Sequence, residues 1–116
     1  MVPDYIRKKL LKKFDNLLPY KIRGIKITEN YLLTAIEILN AQNDKTLPQN
    51  ARNAIMEKTP FGLDRLIKER TGKNLRTANI ISDELEKRGI AEVFRQPEEE
   101  NGRTKKHTRL NEDWTW

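Results

Sequence analysis

Residues 59–89, TPFGLDRLIKERTGKNLRTANIISDELEKRG, decide how this chain of 116 residues folds. Leu63, Leu66 and Ile67 recur at helical spacing and share one face, and Thr71-Gly72 closes that helix. Leu75, Ala78, Ile81 (or Ser82) and Leu85 form the inward face of a second helix that ends at Gly89. Two short helices around a tight turn containing glycine predict a helix-turn-helix. The residues that follow, IAEVFRQ at 90–96, read as a strand with Ile90, Val93 and Phe94 as apolar anchors, and residues 103–110 read as its return. Residues 97–102, carrying Glu98-Glu99-Glu100, join them as a hairpin loop.

A helix-turn-helix followed directly by a β-hairpin describes a winged helix. Upstream, residues 3–18 place Ile6, Leu10, Phe14 and Leu17/Leu18 on one stripe and lysines on the other faces, which predicts an amphipathic helix that Pro19 ends. Residues 20–27 (YKIRGIKI) read either as a short strand or as an extended connection. Thr28 supplies an N-cap hydroxyl for a helix reaching about Gln42, whose broad face holds Leu32, Leu33, Ala35, Ile36 and Leu39. Pro48 is read as seeding a short helix through Met56. The expected class is therefore α+β, mainly α with a small β-hairpin: a winged helix-turn-helix with extra N-terminal helices. One compact domain is divided by role into residues 1–45, N-terminal helices for dimerisation, and 46–116, the DNA-binding region.

Composition narrows the function. Charged residues make up 34% and hydrophobic ones 36%, with mean hydropathy −0.83, yet the apolar residues are periodically grouped. Lysine plus arginine number 23 against 17 acids, a net +6 with a pI near 9.7, which favours a polyanion: nucleic acid first, an anionic membrane surface second. The absence of cysteine removes disulfides, thiolate metal sites and cysteine catalysis, and fits a reducing compartment. A single histidine, His107, leaves no cluster for a metal or proton relay, and no phosphate loop or nucleophile–base pair can be assembled. The expectation is a protein that is not an enzyme, needs no cofactor or metal, has no membrane span or signal peptide, and resides in the cytoplasm on the nucleoid.

The order TPFG, then LIKERTGKNLRTANIISDELEKRGI, then ENGRTKKHTRLNED resembles the winged-helix part of PadR-like transcriptional regulators over residues 59–113. Helical period and the resemblance point to the same surface. With Ala78, Ile81 and Leu85 inward, Arg76, Thr77, Asn79, Ile80 and Asp83 turn outward. Arg76 suits a guanine edge, Asn79 adenine, Thr77 a base or phosphate, and Ile80 a thymine methyl. Lys73 and Asn74 stand where a helix N-terminus favours phosphate. On the wing, Arg103, Lys105, Lys106 and Arg109 supply cations, with contact expected at Arg103 and Lys105 because the acidic loop repels phosphate. His107, Phe61, Phe94 and Ile90 are read as packing residues.

PadR-like and related winged-helix proteins dimerise through helices outside the winged core, so the resemblance implies that Ile6, Leu10, Phe14, Leu17 and Leu18 form a homodimer interface. A two-fold dimer sets the recognition helices ~34 Å apart and predicts a palindromic site in double-stranded DNA. The expected function is sequence-specific duplex binding, most simply as a transcriptional repressor. The resemblance also implies an alternative, since some archaeal PadR-like proteins are centromere-binding adaptors that spread on plasmid DNA and recruit a partner protein of a partition system; a second alternative is a protein–protein interaction module. The closing Trp114-Thr115-Trp116 is read as packing on the wing or the N-terminal helix rather than as a partner contact.

Overall fold

The computed structural model describes residues 1–97 and 102–116; the acidic stretch Glu98-Glu99-Glu100 and Asn101, assigned above to the hairpin loop, lie outside the described residues. Among the described residues four helices and two small antiparallel sheets follow in the order α1 (Asp4–Lys13), β1 (Tyr20–Ile22), β2 (Ile25–Ile27), α2 (Glu29–Asn40), β3 (Thr46–Pro48), α3 (Leu63–Thr71), α4 (Ala78–Lys87), β4 (Ala91–Pro97) and β5 (Thr104–Leu110), with one-turn helices at Met56–Lys58 and Glu112–Trp114. This is a compact α+β arrangement. β1 and β2 make a hairpin of their own, while β5 runs between β4 and β3, in the order β3-β5-β4. Register pairs Phe94 with His107 and Leu47 with Thr108.

One hydrophobic cluster holds the molecule together. Ile6 and Leu10 of α1 and Phe14 just after it join Leu32, Ile36 and Leu39 of α2, Leu63 and Ile67 of α3, Ile81 and Leu85 of α4, Leu110 of β5 and Trp114. Thr28 caps α2 as its sequence suggests, its hydroxyl accepting the Tyr31 N–H at 3.1 Å. Helices from both sides of residue 45 share the same core.

The stripe expected at a dimer interface is turned inward instead: Ile6 and Leu10 are fully buried and Phe14 is 1% exposed within the single chain. Each such side chain gains about 1.5–3 kcal/mol on full burial, which its own core already supplies. Leu18 is half-buried, and of the five residues Leu17 alone is exposed. α1 also stops at Lys13, short of Leu18, since Asp15 and Asn16 take left-handed backbone angles (φ 49° and 57°).

The short helix expected from Pro48 to Met56 is absent. β3 occupies its start, Gln49 extends the pairing through its N–H to the Lys106 carbonyl, and Asn50 has φ 43°. Gly62 explains the tight entry to α3: a Cβ there would lie 2.6 Å from the Pro48 carbonyl oxygen, closer than any side chain tolerates. Helix α4 begins at Ala78, three residues later than the apolar period suggests, and Leu75 is exposed rather than core, as is Phe61. The reason is a carboxylate fourteen residues upstream. Asp64 Oδ1 accepts the N–H groups of Thr77 and Ala78 at 3.1 Å each and so sets the first turn.

The C-terminal segment is pinned. Trp114 is buried with Lys9 Nζ 4.4 Å above its ring, and Trp116 exchanges two hydrogen bonds with the Asn40 side chain. No described helix is long and apolar enough to cross a membrane.

Candidate nucleic-acid interface

A groove of about 600 Å³ runs between the start of α4, the segment after β3 and the inner face of β4–β5. Its lining includes Arg52, Arg76, Arg95, Arg103, Lys105 and Lys106, with no carboxylate among the described residues that border it. Six cations converge there because of buried polar groups beneath them.

Asp64 and Lys68, one helical turn apart on α3, are both completely buried and paired at 3.0 Å. Lys68 donates to the carbonyls of Arg52 and Ala54 and to the Thr59 hydroxyl, each at 2.9 Å. The second Asp64 oxygen accepts the Arg52 N–H. Every group of this buried pair therefore has a partner, and together they bind the irregular segment carrying Arg52 to the start of α4 carrying Arg76. The other support lies under the sheet, where Thr108 Oγ1 meets Ser82 Oγ at 2.7 Å and accepts from Gln49 Nε2 at 3.1 Å. This fixes β5 against α4.

Strand alternation sorts the wing. Thr108 faces α4, so Lys106 shares its side and Arg95, its register partner, lies beside it. Lys106 and Arg95 are like charges directly opposite, an arrangement that costs stability. Neither has an ion-pair partner among the described residues. His107 and Arg109 face the other way: His107 stacks on Phe94 at 5.7 Å, and Arg109 pairs with Glu92 at 2.8 Å while lying over the Phe94 ring. Arg109 is therefore neutralised and outside the groove.

On α4 the expectations divide. Arg76 is exposed and lines the groove; Lys73 and Asn74 are exposed just before the helix, although Asn74 Oδ1 already accepts the Met56 N–H at 2.8 Å. Asn79 lines the groove half-buried, with a side-chain oxygen that has no hydrogen-bond partner among the described residues. Thr77 is fully buried and Ile80 is 6% exposed, so neither presents a side chain outward. Ile80 is covered because the β1–β2 hairpin leans on α4, with Ile22 and Ile25 bordering the clefts beside it and the Tyr20 hydroxyl donating to Glu84. Periodicity along one helix cannot register a hairpin arriving from fifty residues away.

Arg52 and Arg95 were not foreseen as site residues. Arg52 lies in a stretch misread as helix; Arg95 could have been found from its register opposite Lys106 once the two strands were aligned.

The Tyr20–Glu84 contact has an electrostatic signature. Burial, with the hydrogen bond to Glu84 adding to it, pushes the Tyr20 phenol up to about 12. Burial also works to raise the Glu84 carboxyl, but hydrogen bonds from Tyr20 and Lys87 and the charges of Lys87 and Arg88 outweigh it and leave Glu84 below its ordinary value. No group of three or more His, Cys, Asp or Glu side chains suited to a metal ion occurs among the described residues. Comparison with family models, with curated proteins and with solved structures finds no match, so the groove is read from its own chemistry.

Proposed function

We propose that the chain is a winged-helix protein that binds double-stranded DNA, with α3 and α4 as the helix-turn-helix and β4–β5 as the wing. The resemblance of residues 59–113 to PadR-like regulators supports this, and so does the sheet order β3-β5-β4 behind α4. The observation that carries it is the groove itself, in which Arg95 and Lys106, neither with an ion-pair partner among the described residues, stand opposed across β4 and β5, with Arg52 and Arg76 in the same lining. A polyanion laid along the groove turns that repulsion into binding. Arg76, just before α4, and Asn79, in its first turn, reach a base edge, and the wing cations track the backbone. Occupation of an operator, and so repression, is the simplest biological role.

The test is a salt series of binding to duplex DNA. If Arg52, Arg76, Arg95 and Lys106 each meet phosphate, log K falls against log[salt] with a slope of roughly −4. Arg76→Ala should cost about 1–3 kcal/mol and relax discrimination among sequences. A flat salt response overturns the reading. Footprint length at rising concentration then separates a repressor, whose protected site stays constant, from a partition protein, whose protection spreads.

A further inference from the structure

The β1–β2 hairpin carries more charge than its structural task requires. Its eight residues, YKIRGIKI, include three cations and no acid. Its apolar side is spent on packing: Ile27 is buried, and Tyr20, Ile22 and Ile25 rest on the core. Lys21 and Lys26 occupy the opposite side, both exposed and directly paired in register. Like charges so placed destabilise a two-stranded ribbon. None of Lys21, Arg23 and Lys26 has an ion-pair partner among the described residues.

The turn repeats the pattern. Ile22 pairs with Ile25, so Arg23-Gly24 is a two-residue loop, and both residues have positive φ (49° and 80°). That is the backbone of a type I′ turn, whose first central position favours asparagine, aspartate or glycine. Arginine is a costly occupant there. Its position gives it a use: Arg23 borders a cleft of about 290 Å³ together with Asn74, Arg76 and Asn79. Arg76 and Asn79 line the main groove as well, so the two depressions meet at the start of α4. Arg23 also borders the next cleft, where Asp83, Glu84 and Glu86 outnumber Lys87.

We propose that the β1–β2 hairpin is a second phosphate clamp, with Arg23 contacting the DNA backbone on the side of α4 opposite the β4–β5 wing, and Lys21 and Lys26 strengthening the field around it. The inference rests on the duplex-binding reading above and extends it. The duplex is gripped from two hairpins with the first turn of α4 between them. The acidic second half of α4 stays out of the contact.

The experiment compares wild type, Arg23→Ala, Arg23→Asn, the triple variant Lys21→Ala/Arg23→Ala/Lys26→Ala and Arg76→Ala in salt-dependent anisotropy titrations on several duplex sequences, with melting temperatures measured in parallel. Arg23→Ala should weaken binding to every sequence alike and shallow the salt slope by about 1, and the triple variant should shallow it further. Arg23→Asn suits the turn, so it should melt no lower than wild type while losing the same affinity. If the Arg23 and triple variants bind with wild-type affinity and slope while Arg76→Ala is impaired, the clamp is overturned and the groove stands. If wild type itself shows no salt-dependent duplex binding, the clamp falls together with the reading beneath it.

Discussion

Asp64 shows how much a single side chain can decide. Its two oxygens take the N–H groups of Thr77, Ala78 and Arg52 and the Lys68 ammonium, with both members of the ion pair closed to solvent. Removing one member of a buried pair strands the other's charge, so Asp64→Ala should destabilise the chain by about 3–5 kcal/mol in denaturant unfolding. An unchanged midpoint would show the pair to be dispensable. Glu84 offers a gentler test at the same scale. Its folded value lies below the ordinary 4.5, so as pH falls past 4.5 the unfolded chain takes up a proton that the native chain still refuses. Stability contributed by Glu84 is therefore present above 4.5 and lost as acid approaches its folded value. Tyr20 behaves in the opposite sense: its stabilising effect is complete below 10 and lost as pH rises towards about 12. Melting temperature against pH should flatten on the acid side in Glu84→Gln and on the alkaline side in Tyr20→Phe; unchanged limbs would mean that other groups set them.

At the scale of elements, the wing holds two kinds of cross-strand pair. Glu92 opposite Arg109 is an ion pair on the outer face, and Arg95 opposite Lys106 is a repulsive one on the inner face. The same ribbon thus contains the stabilising arrangement where the surface is idle and the destabilising one where it lines the groove. Arg95→Glu should convert the second into the first and gain about 0.2–1 kcal/mol of stability. It should also weaken duplex binding and shallow its salt dependence, since a cation is lost and an anion introduced. Thermal melting and anisotropy on one preparation check both directions; a variant that melts lower, or that binds as wild type does, contradicts the role given to Arg95.

At the scale of the whole molecule, the position of α1 changes the expected assembly. Its apolar stripe is consumed inside the chain, and the exposed large apolar side chains that remain, among them Tyr5, Leu17, Ile55, Phe61 and Leu75, come from separate segments. Of the stripe expected at a dimer interface, Ile6, Leu10 and Phe14 are thus covered within the chain and Leu17 stays exposed. The cations are arranged differently from the apolar residues: much of the excess positive charge stands on the groove and on the β1–β2 hairpin, the two features that flank the first turn of α4. On the proposed reading, a duplex crossing that face would meet cations from both hairpins of one copy.

What the sequence determined by itself was whatever depends on near neighbours. The apolar periods of α2 and α3, the Thr28 cap, the glycine that follows α3 and the paired strands at 91–97 and 104–110 are local, and they were legible along with Arg76, Asn79, Arg103, Lys105 and Lys106 as groove cations and amide. Tertiary structure decided what depends on distant partners. Asp64 set the start of α4, the Asp64–Lys68 pair held residues 52–54 out of a helix, and β3 gained its place by pairing with β5. The hairpin covering Ile80, and the core absorbing the α1 stripe, are of the same kind. An amphipathic face declares that it will be buried; which surface buries it is settled only by the elements that arrive from elsewhere in the chain.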